Sequence, residues 1–212
     1  MKKPKQRQMR IALGLLAAFV LWTAAVSLMD IQPVGPNGST VGFATINRFF
    51  HGLTGVHWWL YNLTDWLGLL PLGFMMGFAI LGLVQWIKRK SLFKVDSSIL
   101  VLGGFYLVVI GAYAFFEGYV VNYRPVLING YLEASYPSST TLLVLTVMPT
   151  AALQLAKRIK QPVRKKWITA AIGAFTVFMV VGRLLSGVHW LTDIIGGGLL
   201  GAGLVLLYDS LA

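Results

Sequence analysis

Residues 182–193 read Gly182-Arg183-Leu-Leu-Ser-Gly-Val-His189-Trp-Leu-Thr-Asp193 and lie between two long apolar runs. Ionisable side chains are costly at membrane depth, so this cluster of three indicates a functional site. His189 and Asp193 are four residues apart and would share one face of a helix. The carboxylate can then accept from one imidazole nitrogen and leave the other free as nucleophile or base. Arg183 precedes that helix, and its planar guanidinium suits a phosphate. The alternative is a structural role, in which Arg183 and His189 cap a membrane helix.

The composition of the 212-residue chain is that of an integral membrane protein, with 57% hydrophobic and 12% charged residues. We expect one membrane domain over residues 1–212 rather than several domains. The chain has no Cys, which excludes disulfides and thiolate metal sites. His51 and His57 are six residues apart and show no close ligand spacing, so we expect no metal and no organic cofactor.

Six apolar segments are predicted to cross the bilayer, so the expected fold is an all-α membrane protein with six transmembrane helices in one bundle. Residues 11–29 form an uncharged run of 19, which spans a hydrocarbon core of about 30 Å at about 1.5 Å per residue. A cleaved signal peptide is the alternative, but no clear small-x-small cleavage site follows. The other predicted spans are roughly residues 67–87, 99–114, 142–155, 167–181 and 190–207. The last is Gly-rich, which allows neighbouring helices to approach closely.

Residues 41–59, between the first two predicted spans, mix apolar side chains with Arg48, His51 and His57. This pattern predicts an amphipathic segment that lies at the membrane interface. Trp58, Trp59, Tyr61 and Trp66 are predicted to form an aromatic belt there.

Basic residues are distributed very unevenly over the predicted loops. Five lie in residues 1–10, four in residues 88–94 and six in residues 157–166, so 15 of the 18 fall on the side that holds both termini. Positive residues stay inside, which predicts cytoplasmic N- and C-termini. The net charge of +11 is therefore a topology signal, and no nucleic-acid partner is expected. The remaining ionisable side chains that matter here fall on the extracytoplasmic side: Arg48, Arg124, Arg183, His51, His57, His189, Glu117, Glu133 and Asp193.

Three polar patches are predicted to meet on that face. They read Glu117-x6-Arg124-Pro125, Pro137-Ser138-Ser139-Thr140 and Arg183-x5-His189-x3-Asp193. Backbone N–H groups and the Ser138 hydroxyl at a helix start favour an anion. Two Arg side chains add charge and directed donors, and a His with an orienting Asp adds a nucleophile. Together the patches predict a phosphate site with a group that can attack phosphorus.

These motifs resemble those of the type 2 phosphatidic acid phosphatases, six-span lipid phosphatases whose fold is shared with vanadium haloperoxidases. The family pattern is Lys-x6-Arg-Pro, Pro-Ser-Gly-His and Ser-Arg-x5-His-x3-Asp. Arg183, His189 and Asp193 match the third motif, with Gly182 where Ser is usual. The resemblance covers roughly residues 100–210.

The resemblance implies a multi-pass cell-membrane enzyme with its active site on the extracytoplasmic face. His189 would attack phosphorus and become a phosphohistidine, and Asp193 would orient the ring and stabilise its charge. The phosphoryl oxygens would be held by Arg124, Arg183, Ser138, Ser139 and nearby backbone N–H groups. The implied substrate is a lipid phosphate or pyrophosphate in the bilayer, and an undecaprenyl pyrophosphate-type carrier lipid is one candidate.

Two positions depart from the family pattern in ways that affect the chemistry. Glu117 stands where Lys is usual, and Thr140 replaces the His that protonates the leaving oxygen. Loss of a positioned general acid typically costs ~10²–10⁴-fold in rate. Three compensations are open: a pyrophosphate with a good leaving group, Glu117 or Glu133 as the acid, or recruitment of Arg48 with His51 or His57.

Two other functional classes compete with the enzyme. The first is a catalytically weak or inactive protein of the same fold that binds lipid phosphate as a carrier, sensor or assembly factor. Glu117 and Thr140 favour it, whereas the complete Arg183, His189 and Asp193 motif favours catalysis. The second is a small transporter, for which inverted repeats and polar residues near the bilayer centre are expected. The sequence shows no internal repeat, and its polar residues cluster at one interface.

Overall fold

The structure is a computed structural model that describes residues 3–211, so Lys2 of the predicted basic N-terminus lies outside the described residues. β pairing in that range is limited to three isolated bridges. The prediction of an all-α fold is confirmed. The α-helices of the described range are α1 Lys3–Leu28, α2 Ala44–Thr54, α3 Trp58–Leu67, α4 Leu69–Arg89, α5 Ser97–Gly118, α6 Ser139–Arg158, α7 Pro162–Leu185 and α8 Leu191–Leu211.

Six segments of the described chain are long and apolar enough to cross a membrane, as predicted. Each is longer than the predicted span, because the helices continue into polar residues that flank the apolar runs. The largest difference is the second span, Trp58–Arg89, which comprises α3 and α4 with a break at Gly68. Trp58, Trp59, Tyr61 and Trp66, predicted as a separate belt, therefore belong to the first part of this span.

The central part of the predicted amphipathic segment forms α2. Its polar and apolar faces are reversed relative to a surface helix of a soluble protein. Asn47 is fully buried, whereas Phe49 and Leu53 are exposed. The Asn47 amide donates to the Gly42 carbonyl at 2.8 Å and to the Thr192 hydroxyl at 3.0 Å, and its oxygen accepts from the Thr192 N–H. Helix α2 thus presents apolar side chains outward and uses a polar one to fix the start of α8.

Helix α8 lies at the centre of the bundle, against α1 and α6. A Cβ at Gly203 would lie 2.9 Å from Leu16 of α1, and one at Gly201 would lie 2.9 Å from Leu145 of α6. Both distances are shorter than normal contacts. At Gly201 the neighbour is the Leu145 Cβ, which moves only with α6, so this position accepts only glycine; at Gly203 the neighbour is the end of the Leu16 side chain. The predicted role of the glycines in close helix approach is confirmed at these two positions.

Helices α1 and α8 run antiparallel, and this places both ends of the described chain at one end of the bundle. Gln8 donates to Asp209 at 3.0 Å near the termini, and the Trp22 indole donates to the Thr192 carbonyl at 3.2 Å at the other end. The predicted basic loops after α4 and α6 lie at the end that holds the termini. The 186–190 loop lies at the opposite end, so the bundle separates its basic surface from the candidate site.

Candidate active site

His189 is carried by the short loop of residues 186–190 between α7 and α8. Gly187 has a φ of +69°, and a Cβ there would collide with the Gly55 carbonyl oxygen. Only glycine fits such a position without strain. The His51 ring nitrogen Nε2 lies 3.1 Å from the Gly187 carbonyl, and the His57 backbone N–H donates to the Ser186 carbonyl at 3.0 Å. The segment around α2 and α3 therefore holds the loop that presents His189.

His189 precedes α8 rather than lying on it, because α8 begins at Leu191. The expectation that His189 and Asp193 share a helical face is therefore wrong. Asp193 stands in the first turn of α8, where Oδ2 accepts from the Trp190 N–H at 2.8 Å while its own N–H donates to the Trp190 carbonyl at 3.1 Å. The carboxylate of Asp193 thus accepts from the backbone N–H that precedes α8, which is one half of a capping box.

The two side chains nevertheless approach each other. His189 Nδ1 lies 3.7 Å from Asp193 Oδ2, which is too long for a direct hydrogen bond. Ser135 occupies the space between them: its Oγ is 3.2 Å from Nδ1 and donates a hydrogen bond to Asp193 Oδ2. All three side chains are buried. Sequence reasoning missed Ser135, and the available signal was its position two residues before Pro137 of the second motif.

Two guanidinium groups face the other imidazole nitrogen. Arg124 Nη1 lies 3.0 Å from His189 Nε2, and Arg183 Nη2 lies 3.4 Å from it. Guanidinium groups only donate, so this arrangement assigns the lone pair to Nε2 and the ring proton to Nδ1. Burial first, and then the charges of Arg124 and Arg183, hold the pKa of His189 well below its ordinary value. The imidazole is consequently neutral at pH 7 and able to act as a nucleophile.

Both arginines are fixed by their surroundings. Arg124 Nε lies 3.1 Å from Glu133 Oε2, and Nη1 also lies 3.4 Å from the Val188 carbonyl. Nε has no aligned hydrogen-bond partner among the described residues, so the contact with Glu133 is an ion pair without good hydrogen-bond geometry.

Arg183 is almost completely buried, with 1% of its surface exposed. Its guanidinium lies 5.0 Å from the centre of the Tyr61 ring, in the range of a cation–π contact. Its Nη1 lies 3.4 Å from the Thr64 hydroxyl and 3.7 Å from Asp65 Oδ1. Helix α3 thus supports one side of the candidate site, which the sequence motifs did not indicate.

A polar cavity of about 240 Å³ opens onto His189. Of the predicted site residues, the structure brings Glu117, Arg124, Glu133 and Ser139 to its wall beside His189. Arg183 and Asp193 lie behind this wall, in contact with the residues described above.

Two predicted residues of the second motif do not line the cavity. Ser138 is fully buried as the N-cap of α6, and its Oγ accepts from the Thr141 N–H at 3.4 Å. Thr140 is half-buried on the first turn of α6. Arg48 and His57 are exposed on the outer segment and do not line the cavity either. His51 contacts the 186–190 loop through the Gly187 carbonyl, so it supports the loop that carries His189 without lining the cavity.

Gly182 stands where the related motif has Ser, and its position explains the difference. A Cβ on Gly182 would lie 2.8 Å from the Thr64 methyl and 3.6 Å from Leu60. Helix α3 therefore packs directly against the backbone of α7 at this point, next to Arg183.

With this geometry in place, comparisons with known proteins identify the family. A family model for the PAP2 superfamily matches residues 68–210, well over half of the chain. The chain belongs to the PAP2 superfamily. Among solved structures it is similar to the first transmembrane PAP2 type phosphatidylglycerolphosphate phosphatase from Bacillus subtilis, with a TM-score of 0.63, 20% identity and 94% of each chain covered. At that identity the likeness shows a shared fold. No curated protein sequence matches the chain.

Proposed function

We propose that this protein is a membrane phosphatase that hydrolyses a lipid phosphate or lipid pyrophosphate through a phosphohistidine at His189. Membership of the PAP2 superfamily and the shared fold support a lipid phosphatase. The observation that carries the proposal is the arrangement at Nε2 of His189. Its lone pair faces Arg124 Nη1 at 3.0 Å and Arg183 Nη2 at 3.4 Å, at the wall of a polar cavity.

In the proposed reaction, the phosphoryl group enters between Nε2 and the two guanidinium groups, and its oxygens take over their N–H donors. Nε2 attacks phosphorus, the N–P bond forms, and the P–O bond breaks with its electron pair leaving on the lipid oxygen. For a pyrophosphate this gives a lipid phosphate anion, and for a phosphate it gives a lipid alkoxide that takes up a proton from water. Water then attacks the phosphohistidine and its protons remain with the released phosphate, while the electron pair of the N–P bond returns to Nε2. Catalysis of this kind depends mainly on positioning and on neutralisation of charge. Asp193 stabilises the positive charge that the ring gains.

The leaving group is the point at which this chain differs from the family pattern. Thr140 does not line the cavity, and Glu133, which does, lies 3.1 Å from Nε of Arg124. In this contact the Glu133 carboxylate faces Arg124 rather than a leaving group. We therefore favour a lipid pyrophosphate, because its leaving lipid phosphate is a weaker base than an alcohol and depends less on an acid.

The surface near the cavity supports a substrate with a long hydrocarbon chain. An apolar groove of about 670 Å³ runs between α4 and α5, and Tyr106 and Ile110 of α5 contribute to its wall. Tyr113 and Glu117, one to two turns further along the same helix, line the polar cavity. A lipid chain in this groove would place its phosphate at the end where His189 lies.

The orientation of the protein is part of the proposal. The termini and the basic loops lie at one end of the bundle, and His189 lies at the other. Because positive residues remain on the cytoplasmic side, we propose that the cavity opens on the extracytoplasmic face.

A second candidate function is that of a protein that binds lipid phosphate without hydrolysing it. It is favoured by the carboxylates of Glu117 and Glu133 on the cavity wall and by Thr140 in place of a catalytic His. Negative charges on these carboxylates would repel a phosphate dianion, and the repulsion is stronger at low dielectric.

The test is phosphate release by the protein purified in detergent. Phosphatidic acid, phosphatidylglycerol phosphate, undecaprenyl phosphate and undecaprenyl pyrophosphate serve as substrates. The matched variants are His189→Ala and His57→Ala, because the His57 side chain is exposed and lies outside the cavity. We expect hydrolysis that only His189→Ala abolishes, with preference for the pyrophosphate. Binding without turnover on every lipid would favour the second candidate.

A further inference from the structure

A serine hydroxyl stands between the carboxylate and the imidazole of the candidate site. Ser135 lies in the segment before α6, where only 3% of its surface is exposed. Its backbone N–H donates to the Asn122 carbonyl at 2.9 Å, and the Asn122 side chain accepts from the Gly42 N–H at 3.1 Å. The hydroxyl is therefore held in place by a backbone segment that is itself anchored to the outer loop.

The direction of each hydrogen bond follows from its partners. Nε2 of His189 accepts from two guanidinium groups, so Nδ1 carries the ring proton. The Ser135 Oγ, 3.2 Å away, is then the acceptor for Nδ1–H and gives its own proton to Asp193 Oδ2. His189 and Ser135 each donate one hydrogen bond toward Asp193, whose carboxylate only accepts and ends the chain.

The carboxylate cannot take the place of the hydroxyl without a loss elsewhere. Asp193 Oδ2 accepts from the Trp190 N–H at 2.8 Å as part of the cap of α8, and it is 3.7 Å from Nδ1. Movement toward the imidazole would lengthen the bond that begins the helix. The hydroxyl bridges a gap that the helix cap keeps open.

We propose that Ser135 is a positioning residue that transmits the charge of Asp193 to His189 during phosphoryl transfer; this inference rests on the proposed function. When Nε2 bonds to phosphorus, the ring becomes cationic while Nδ1 keeps its proton. The hydrogen bond from Nδ1–H to Ser135 Oγ then strengthens. The Ser135 hydroxyl becomes more polarised and in turn donates a stronger hydrogen bond to Asp193. When water releases phosphate, the electron pair of the N–P bond returns to Nε2 and the ring is neutral again. No proton leaves the chain of three residues in either step.

The kinetic test compares Ser135→Ala with Ser135→Thr, which keeps a hydroxyl. Ser210→Ala is the control, because Ser210 is also buried and donates to a carbonyl, that of Leu207, but lies at the opposite end of the bundle. We expect Ser135→Ala to lower kcat about 10- to 100-fold, the size of effect seen when the hydrogen-bond partner of a metal-bound His is removed, with little change in KM. Ser135→Thr should restore most of the activity. A rise in KM at unchanged kcat would overturn the proposal, because it would mean that Ser135 binds the phosphate directly.

A double-mutant cycle with Asp193→Asn separates a relay from two independent effects. Residues that act as one unit give strongly non-additive losses. Ser135→Ala should cost less than about threefold in the Asp193→Asn background. Independent losses that multiply would contradict the proposal.

A spectroscopic readout keeps the test valid if no substrate is turned over. The chain has three His residues, so ¹⁵N-labelled histidine gives a small set of ring signals in detergent. The Nδ1–H proton of His189 should resonate downfield in the wild type and in Ser210→Ala, and move upfield in Ser135→Ala as its acceptor is lost. An unchanged signal in Ser135→Ala would overturn the relay. Absence of hydrolysis with the expected shift would instead count against the proposed function alone.

Discussion

Nη1 of Arg124 lies 3.0 Å from Nε2 of His189, so a permanently charged donor stands where the imidazole lone pair points. This contact has two consequences. It adds to burial in lowering the pKa of His189, so that the imidazole stays neutral, and it marks the direction from which a phosphoryl group would approach. Arg183 adds a second donor 3.4 Å from the same nitrogen.

The acid limb of the pH–rate profile tests this contact. Only neutral His189 can attack phosphorus, and its pKa is held well below the ordinary value by burial, Arg124 and Arg183. An enzyme whose histidine had the ordinary pKa of about 6.5 would lose kcat/KM as the pH falls through that value. In the wild type the acid limb, where kcat/KM declines, should therefore lie below about pH 6.5. Arg124→Gln removes a charge that lowers this pKa, so the acid limb should move to higher pH. The rate should also fall by about 10²-fold or more, as is typical for a lost oxyanion donor.

The control for this profile is Arg164→Gln, since Arg164 is exposed at the other end of the bundle. It should leave both the rate and the acid limb unchanged. An acid limb that is the same in Arg124→Gln and the wild type would show that another group controls it.

Glu117→Lys tests the charge of the cavity wall. Glu117 is exposed and lines the cavity. It stands at the position where the family motif Lys-x6-Arg-Pro has Lys. The substitution replaces repulsion of the phosphate by attraction and should lower KM by roughly tenfold, which corresponds to about 1.4 kcal/mol. Glu117→Gln should give an intermediate value. KM values that rise along this series would mean that Glu117 binds a cationic part of the substrate.

Ser138→Ala tests whether the buried hydroxyl acts as a cap. Ser138 caps α6 through the Thr141 N–H and does not line the cavity. Loss of an N-cap typically costs about 1 kcal/mol, so thermal unfolding in detergent should move to lower temperature. KM for the lipid substrate should stay within about twofold of the wild-type value, because Ser138 does not line the cavity. A twofold change in KM corresponds to only a small change in free energy. A large rise in KM at unchanged stability would support direct phosphate binding by Ser138.

Gly182→Ser would restore the residue usual in the third motif, yet we expect it to destabilise the protein. The added Cβ would lie 2.8 Å from the Thr64 methyl, and overpacking of this kind typically costs about 1–3 kcal/mol. Thr64→Ser removes that methyl and keeps the hydroxyl 3.4 Å from Arg183, so the double variant should recover most of the lost thermal stability. Equal stability of Gly182→Ser and the wild type would show that α3 and α7 separate easily at this point.

The membrane bundle was predictable from the sequence because hydrophobic length and basic loops are properties of continuous segments. The exact limits of the spans were harder to predict from the sequence. Helix α3 continues into α4 across Gly68, and nothing in the local pattern distinguishes an aromatic belt from the first turns of a span. The inward-facing Asn47 was also missed, since a buried polar residue with three hydrogen-bond contacts cannot be recognised from periodicity alone.

The proximity of Arg124, Arg183, His189 and Asp193 was predicted from motifs, but the connection among them was not. His189 and Asp193 were expected on one helical face, whereas the start of α8 at Leu191 leaves them 3.7 Å apart. Ser135 fills that gap from a segment 54 residues earlier in the chain than His189. Such a contact depends on how the loops cross in the folded protein. In the sequence Ser135 is a single polar residue that nothing in the local pattern connects with His189.

The most direct test of the central claim is detection of the phosphoenzyme. The protein is mixed with a lipid substrate labelled with ³²P in its terminal phosphate and quenched in alkali, in which phosphohistidine is stable. Peptide mapping then locates the label in wild type and in His189→Ala. We predict an acid-labile, alkali-stable label on His189 that is absent from the variant. Phosphate release without such a label, or a label on another residue, would contradict the phosphohistidine mechanism.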